Sequence, residues 1–392
     1  MSQALIEQGT AQLFNGAVSR ELLQDFEAGQ PPEALWQQVV GHGLTLALAT
    51  EAAGGSALPW ADAYPILRGL GYWQVPLPLA ETMIGAQLLA MAGIAVPDGA
   101  IALIEAGRDG AAGADGLDGA AGVDGNLQID DHPTNPRLTG KLQRVAWASA
   151  CRWAVVSMAG AGGDTPGPGH LALINLHDSF TVTVNTRLNT AGEPNDDIEL
   201  HGARCMAWAP QPLPGLRQPV RTLGAIARSA MMVGAMEWLL EQSVQYANDR
   251  VQFGRPIGKN QAIQQQLALM AGDVAAARVA ALVACGDAPC ASAGGAGATP
   301  ESGAATLFSA AVAKVRAGEA ATRATSIAHQ VHGAIGFTQE HRLHFATRRL
   351  WAWREAQGSD AWWAARLGAA AIAAAQPGGA GFWPGLTARR FA

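Results

Sequence analysis

The segment YANDRVQFGRPIGKNQAIQQQLALMAGDVAAARVAA, residues 246–281, contains an abrupt break in a helical pattern. Upstream of it, MMVGAMEWLLEQSVQ (231–245) has apolar residues at three- and four-residue spacing. This spacing predicts a helix that continues past residue 246 and carries Arg250 and Phe253 one turn further on. Gly254 and the proline two residues later are expected to end that helix. The break therefore carries an arginine, a glutamine and an aromatic residue.

An arginine close to a helix end, with amide and aromatic neighbours, is typical of a site for a phosphate-bearing cofactor. A guanidinium group binds phosphate oxygens in a bidentate way, and a ring offers a flat packing surface. The alternative is an arginine that forms a salt bridge at the end of its helix. The break by itself leaves both interpretations open.

The periodicity divides the 392-residue chain into three parts, as expected for a length that exceeds a single core. Residues 1–96 have helical spacing and are predicted to form a small helical domain. Residues 97–215 contain short alternating runs separated by turn residues, which predicts an antiparallel β domain. Helical spacing returns in residues 216–392, which are predicted to form a four-helix bundle. The predicted fold class is α+β.

Two low-complexity stretches interrupt these parts. Glycine occupies every third position from residue 107 to residue 125. The intervening positions hold no proline, so a flexible loop is favoured over a collagen helix. In the bundle, CASAGGAGATPESGAAT (290–306) is predicted to be a flexible link between two long antiparallel helices.

Composition excludes several classes of function. Hydrophobic residues make up 49% of the chain and charged residues 15%, which is typical of a well-buried globular protein. The net charge is −6 and the basic residues are scattered along the sequence, so no basic patch for nucleic-acid binding is predicted. The N-terminus lacks the pattern of a signal peptide, and no apolar stretch has the character of a membrane span. We therefore expect a cytoplasmic protein without a membrane contact.

No metal site is predicted. The chain has four cysteines, and Cys285 and Cys290 have no further ligands nearby in sequence. His329 and His332 flank Gln330 but lack a third ligand, which favours packing or cofactor contact for both rings.

Two blocks resemble the acyl-CoA dehydrogenase family. The family's third domain has an Arg-x-x-Phe-Gly motif followed by a glutamine and a Leu-Ala-x-Met run, matched here by Arg250, Phe253, Gly254, Gln261 and residues 267–270. A second family motif, Gln-x-x-Gly-Gly-x-Gly-(Phe/Tyr), is matched by Gln330, Gly333, Gly336 and Phe337, with Ala334 in place of the second glycine. The α, β, α order is also that of the family, so the resemblance covers nearly the whole chain.

The resemblance implies a cofactor, a reaction and partners. FAD would lie extended at a subunit interface of a tetramer, with its ring on the neighbouring subunit. Its diphosphate and adenosine half would be held by Arg250, Phe253, Gln261, Gln330, Gly333 and Ala334. The implied reaction is α,β-desaturation of an acyl-CoA, in which a carboxylate removes the α-proton. An electron-transfer flavoprotein is the implied electron acceptor.

The catalytic carboxylate of the family is missing at both of its usual positions. Counting without gaps from the glycine-rich block puts Gln357 in the slot of the usual glutamate. A glutamine can hydrogen-bond a thioester, but it cannot accept a proton. Some relatives carry the base on an earlier helix, where counting reaches Gly224. Glu355 and Asp360 lie close to Gln357 in sequence, and a solvated or arginine-paired state is expected for them.

The segments that hold the flavin ring in the family are altered as well. ALIEAGRDG (102–110) lacks the proline and serine of the corresponding family motif. Alignment on Gly140 and Trp153 puts Arg144 and Ala146 where the family has tryptophan and threonine. The motifs for the FAD tail are thus matched, whereas those for the flavin ring are altered. This difference leads to the hypothesis of a heterotetramer with a homologous chain that retains the ring-holding motifs, as opposed to a homotetramer.

Three functions remain open at this stage. The first is an enzyme subunit that desaturates an acyl-CoA, in a mixed assembly or with an unrecognised base. The second is a non-catalytic subunit that completes the FAD site of a partner. The third is an oxygen-using flavoenzyme on the same fold. Four tryptophans after the glycine-rich block are predicted to pack between helices: Trp351, Trp353, Trp362 and Trp363.

Overall fold

Helices occupy both ends of the chain and strands occupy its middle, which confirms the predicted α+β fold class. The computed structural model describes residues 3–108, 125–130, 132, 136–158, 169–213, 215–291, 300–375 and 381. Most of the glycine-triplet tract and residues 292–299 of the predicted link lie outside the described residues.

Five of the described helices precede the sheet: α1 (Gln3–Ala17), α2 (Arg20–Glu27), α3 (Glu33–Gly41), α4 (Trp60–Tyr72) and α5 (Leu79–Met91). Helix α2 begins at an N-cap serine, Ser19, whose hydroxyl accepts a hydrogen bond from the Leu22 amide at 3.2 Å. Helix α5 is buried along every residue from Leu79 to Leu89. Burial on all sides explains why this helix is apolar on all faces.

The middle of the chain forms an eight-stranded sheet among the described residues. Its strands are β1 (Ile101–Arg108), β2 (Gly125–Asp130), β3 (Arg137–Ala146), β4 (Trp153–Met158), β5 (His170–Asn175), β6 (Val182–Asn185), β7 (Asn195–Arg204) and β8 (Ala207–Pro210). Their order in the sheet is β6-β7-β3-β2-β1-β4-β5-β8.

Strand β1 pairs in parallel with both β2 and β4, whereas the other pairs in this sheet are antiparallel. The prediction of a purely antiparallel domain is wrong at β1. The alternation of apolar and polar residues indicates which face of a strand is buried, but it carries no information on the direction of pairing.

The described helices after the sheet are α6 (Pro219–Asp249), α7 (Gln261–Asp287), α8 (Pro300–His332), α9 (Leu343–Glu355) and α10 (Asp360–Ala374). Helix α6 is the centre of this bundle, because it packs against α4, α7, α8 and α9. Helices α6 and α4 cross with their backbones in contact. A Cβ atom added to Gly234 would lie 1.9 Å from the carbonyl oxygen of Arg68.

The predicted link between α7 and α8 is shorter than its low-complexity sequence. Helix α8 begins at Pro300, so the prediction of a loop up to Thr306 is wrong. Proline suits the first position of a helix, since its fixed φ is helical and no backbone partner is needed for its missing N–H.

Helices α6 and α7 are long and apolar enough, by length and composition alone, to cross a membrane. The most apolar window of α6 is 89% buried inside the protein, as expected for a core helix, and that of α7 is 28% buried. Helix α7 therefore leaves an apolar face uncovered in the single chain.

Candidate functional site

Arg250 and Phe253 lie on a hairpin and not on a helix. Helix α6 ends at Asp249, and Arg250 has extended backbone angles. The chain then forms a two-stranded hairpin from β9 (Val251–Gln252) and β10 (Arg255–Pro256). The prediction that the helix continues past residue 250 is wrong, because both central residues of the turn have positive φ, 51° at Phe253 and 77° at Gly254. Such angles are typical of two-residue hairpin turns and are incompatible with a helix.

The hairpin presents Arg250 and Phe253 to solvent. The Arg250 side chain is exposed and forms no ion pair with a residue in the described part of the chain. This environment disfavours the alternative of a salt-bridged arginine at a helix end. Phe253 is 102% exposed. A fully exposed aromatic ring on a backbone of positive φ has a conformational cost, and no contact with the other described residues compensates for it.

The glycine-rich block lies at the same end of the bundle as the hairpin. The ring of Tyr246, near the end of α6, stacks on the ring of His332, the last residue of α8, with ring centroids 4.6 Å apart. Helix α7 begins at Gln261, directly after the hairpin. The six residues that the family resemblance assigned to FAD are all exposed: Arg250, Phe253, Gln261, Gln330, Gly333 and Ala334.

Gly333 opens a short 3-10 helix, Gly333–Phe337, with a φ of 61° that favours glycine. Phe337 stacks on His329 with centroids 4.4 Å apart and remains 74% exposed. Burial lowers the pKa of both His329 and His332 from its ordinary value. The two imidazoles are thereby favoured in their neutral form, which suits ring stacking.

A cavity of about 690 Å³ lies between the sheet and the C-terminal helices. Its walls are formed by the end of β3, the loop before β7 and the first turns of α6. The last turn of α9 and the residues after it, up to residue 359, complete the wall. Gln357 lines this cavity, as do Arg144 and Ala146 of the altered ring-holding segment. Two other lining residues, Trp351 and Trp353, form part of the wall, whereas Trp362 and Trp363 pack in a separate buried cluster.

Gln357 and Gly224 face each other in the structure. A Cβ atom added to Gly224 would lie 2.7 Å from the side-chain Cδ atom of Gln357. The two positions that the family resemblance assigns to the catalytic carboxylate are thus brought together, and neither residue is a carboxylate. Gln357 has a φ of 57°, which is uncommon for any residue other than glycine.

The carboxylates near Gln357 are occupied or solvated. Asp360 accepts two hydrogen bonds from Arg354, at 3.0 Å from Nε and 3.2 Å from Nη2, which is the arginine-paired state weighed for it. Glu355 lines the cavity but is exposed. Neither Asp360 nor Glu355 is therefore placed as a candidate for the catalytic base.

Sequence reasoning missed Glu193, a buried carboxylate in the cavity wall. Its Oε2 atom accepts hydrogen bonds from Trp353 Nε1 at 3.0 Å and Asn189 Nδ2 at 3.2 Å, and its Oε1 atom forms an ion pair with Arg349 Nε at 3.1 Å. A buried carboxylate whose oxygens are all paired in this way has a structural role. Its position between Gly192 and Pro194 in a loop gives no signal in the sequence.

A second buried ion pair, between Arg228 and Glu81, was also missed. Arg228 lines the cavity, and its Nη2 atom contacts the carboxylate of Glu81 on α5. Desolvation raises the pKa of Glu81, and the charge of Arg228 opposes that shift. The pair connects the first helical part of the chain to the cavity wall.

Lys314 of α8 is fully buried beside the turn that carries Gln357. Its Nζ atom donates to the carbonyl oxygens of Arg354 at 2.6 Å and Gly358 at 2.8 Å. Burial lowers the pKa of Lys314 from 10.5 to about 7. Asp360 and Glu355 oppose this shift, whereas Arg228 and Arg354 add to it.

This pKa predicts a pH-dependent stability. Between about pH 7 and pH 10.5 the unfolded chain holds the Lys314 proton and the folded chain does not. The contribution of Lys314 to the free energy of unfolding should therefore rise with pH across this window, by up to about 1.4 kcal/mol per pH unit. Below pH 7 both states are protonated, and the contribution should be constant.

Urea unfolding at several pH values would measure this rise. The Lys314→Met variant should lack it, while Lys141→Met, which changes an exposed lysine, should keep it. A Lys314→Met variant whose stability follows the same pH profile as the wild type would contradict the prediction.

Comparison with known proteins agrees with this fold and these motifs. Residues 221–372 match the family model described as "Acyl-CoA dehydrogenase, C-terminal domain". The acyl-CoA dehydrogenase IpdE2 of Mycobacterium tuberculosis is 29% identical over 322 residues, which cover 81% of this chain and 80% of that protein.

Two solved structures share the fold. A chain of the ChsE4–ChsE5 complex from Mycobacterium tuberculosis aligns with a TM-score of 0.74 at 21% identity, covering 94% of this chain and 97% of that one. A chain of a variant of the Tcur3481–Tcur3483 steroid ACAD, where ACAD denotes acyl-CoA dehydrogenase, aligns with a TM-score of 0.75 at 23% identity, covering 94% and 96%. Residues 221–372 thus match the C-terminal domain of the acyl-CoA dehydrogenase family, and the chain as a whole is similar to acyl-CoA dehydrogenases in sequence and in fold.

Proposed function

We propose that this chain is one subunit of a FAD-dependent acyl-CoA dehydrogenase that assembles with a homologous, base-carrying chain into a heterotetramer. The assembly would catalyse α,β-desaturation of an acyl-CoA thioester. One observation carries the proposal: the residues that would bind the FAD tail are exposed and match the family motifs except at Ala334, whereas both positions for the catalytic carboxylate, Gln357 and Gly224, lack one.

The exposed end of the bundle suits a dinucleotide tail. Arg250 offers a guanidinium without an ion pair in the described part of the chain, which matches the bidentate geometry of a diphosphate. Phe253 offers a ring for packing, and the amides of Gln261 and Gln330 add hydrogen-bonding groups. Open space beside the Cα atom of Gly333 lets a phosphate approach the main chain. Bound FAD would accept the β-hydride of the acyl group.

The outer face of α7 supports an assembly with another chain. Leu269, Val279 and Val283 on this helix are 63%, 61% and 37% exposed, respectively. Apolar patches of this kind mark protein interfaces. The ChsE4–ChsE5 and Tcur3481–Tcur3483 structures are by their titles assemblies of two different chains. A cytoplasmic mixed tetramer, with an electron-transfer flavoprotein as acceptor, is the assembly we propose over a homotetramer.

The cavity of this chain would contribute binding and not proton abstraction. The side-chain amide of Gln357 can donate a hydrogen bond to a thioester carbonyl, but it cannot take the α-proton. The α-proton would be removed in the cavity of the partner, which carries the carboxylate, whereas the cavity of this chain would bind an acyl-CoA without turning it over. A cavity of about 690 Å³ leaves room for a bulky acyl group, such as a steroid side-chain thioester.

Co-expression with a homologous chain that retains the glutamate tests the proposal. The co-purified assembly should contain more flavin per protein and bleach anaerobically with a matching acyl-CoA, whereas this chain alone should not bleach. A fully flavinated and active assembly of this chain alone would contradict the mixed tetramer.

A second candidate function is a non-catalytic subunit that only completes the FAD site of its partner. It is favoured by the commitment of Glu193 to three donors, which leaves the cavity without a free buried base among the described residues. Turnover of the assembly with Gln357→Ala separates the two. A loss of turnover or of acyl-CoA affinity supports participation of this cavity, and an unchanged rate supports the second candidate.

A further inference from the structure

The turn that carries Gln357 is held by side chains from two helices. Lys314 of α8 donates to the carbonyl oxygens of Arg354 and Gly358, at 2.6 Å and 2.8 Å. From α10, Trp363 Nε1 donates to the carbonyl oxygen of Gln357 at 3.0 Å. Three main-chain carbonyl groups between residues 354 and 358 therefore have side-chain donors.

The same turn has an unfavourable backbone conformation. Gln357 has a φ of 57°, and Gly358 follows with a φ of 87°. A Cβ atom added to Gly358 would lie 2.8 Å from Trp363 Nε1, so the turn is also confined by packing. A non-glycine residue in such a conformation persists where surrounding bonds over-determine it. Lys314 supplies a bond at each end of this turn.

We propose that Lys314 is a positioning residue that fixes the 354–358 turn so that the Gln357 side chain lies against Gly224 at the cavity wall. This inference rests on the proposed function, in which the Gln357 amide binds the thioester. Lys314 is buried and is not among the described residues that line the cavity. It therefore acts on a ligand through the turn and not by contact.

Hydrogen exchange of the full-length chain, followed by mass spectrometry, tests the positioning role. Lys314→Met keeps an unbranched side chain but removes the donors. Exchange in the segment 356–359 should then be faster, with a gain of at least about tenfold at the Ala356 amide, which donates to the carbonyl oxygen of Ala352 at 3.2 Å. The midpoint of global unfolding should not fall at neutral pH, because removal of a buried cation offsets the lost bonds. Local opening without a global loss distinguishes positioning from general stabilisation.

Ser309→Ala is the matched control. Ser309 is buried on the same helix, and its hydroxyl contacts Asp287 at the end of α7 instead of the turn. Exchange at 356–359 should stay within about twofold of the wild type in this variant. Unchanged exchange at 356–359 in Lys314→Met would overturn the inference.

A measurement on the wild type covers the case in which Lys314→Met does not fold. The chain has three lysines, and the other two, Lys141 and Lys259, are exposed. After 15N-lysine labelling, the Nζ protons of Lys314 should exchange with water at least about tenfold more slowly than those of the other two. Equal exchange of all three signals would overturn the inference.

Acyl-CoA affinity of the co-expressed assembly separates this inference from the proposed function. Lys314→Met and Gln357→Ala should weaken affinity by the same factor, and the double variant should be no weaker than either. Faster exchange at 356–359 with unchanged affinity would support the positioning role of Lys314 and contradict the binding role of Gln357.

Discussion

Arg250→Gln is expected to lower the FAD affinity of the co-purified assembly by about 10- to 100-fold. The estimate follows from the loss of a charge-assisted, bidentate contact worth about 1.5–3 kcal/mol, with about 1.4 kcal/mol for each factor of ten. The Arg250 side chain is exposed and has no ion pair in the described part of the chain. Its replacement should therefore leave the free energy of unfolding nearly unchanged. Flavin absorbance per protein and FAD titration of the stripped assembly measure the effect.

Arg255→Gln is the control for this experiment. Arg255 lies on the same hairpin, is also exposed, and gives the same change in net charge. Its variant should retain FAD affinity within about threefold, since a general electrostatic term is screened by salt. Equal losses in the two variants would indicate a diffuse charge effect. Full flavin content in Arg250→Gln would remove the main support for the proposed function.

Gly234→Ala is expected to destabilise the fold by about 3 kcal/mol or more, at the upper end of overpacking effects. The added Cβ would lie 1.9 Å from the carbonyl oxygen of Arg68 and 2.8 Å from the amide nitrogen of Tyr72. Both atoms belong to the backbone of α4, so relief requires the two helices to move apart. Urea unfolding followed by circular dichroism measures the loss.

Gly368→Ala isolates the local effect of the same substitution. Gly368 lies in α10, is exposed, and has no heavy atom within 4 Å of an added Cβ. This variant should be more stable than the wild type, by up to about 1 kcal/mol, because alanine has the higher helix propensity. A Gly234→Ala variant with a similar gain would show that α4 and α6 are not in backbone contact.

The sequence carried enough information to predict the fold class, and counting along it selected two residues that are neighbours in the structure. Apolar spacing identifies helices at both ends and strands in the middle. Counting without gaps reached Gln357 from the glycine-rich block and Gly224 from the end of α6, and the structure brings these two residues together. Such counting works where helices continue without insertion between a motif and its target.

Features that depend on contacts distant in sequence could not be predicted. The partners Arg228 and Glu81 are separated by 147 residues, and no local pattern connects them. Lys314 lies in an alanine-rich helix beside Arg316 and Glu319, where a solvated side chain would be the ordinary expectation. The positive φ of Phe253 also escaped prediction, because a proline and a glycine after a helix are compatible with several kinds of turn.

The uncovered apolar face of α7 has a consequence for biogenesis. A newly made single chain exposes Leu269 and Val279 to solvent, in addition to the ring of Phe253. Exposed surface of this kind favours aggregation and recognition by chaperones and proteases. Production of the chain in excess of the proposed partner subunit should therefore yield inclusion bodies or rapid turnover, and soluble yield should depend on the ratio at which the two chains are translated.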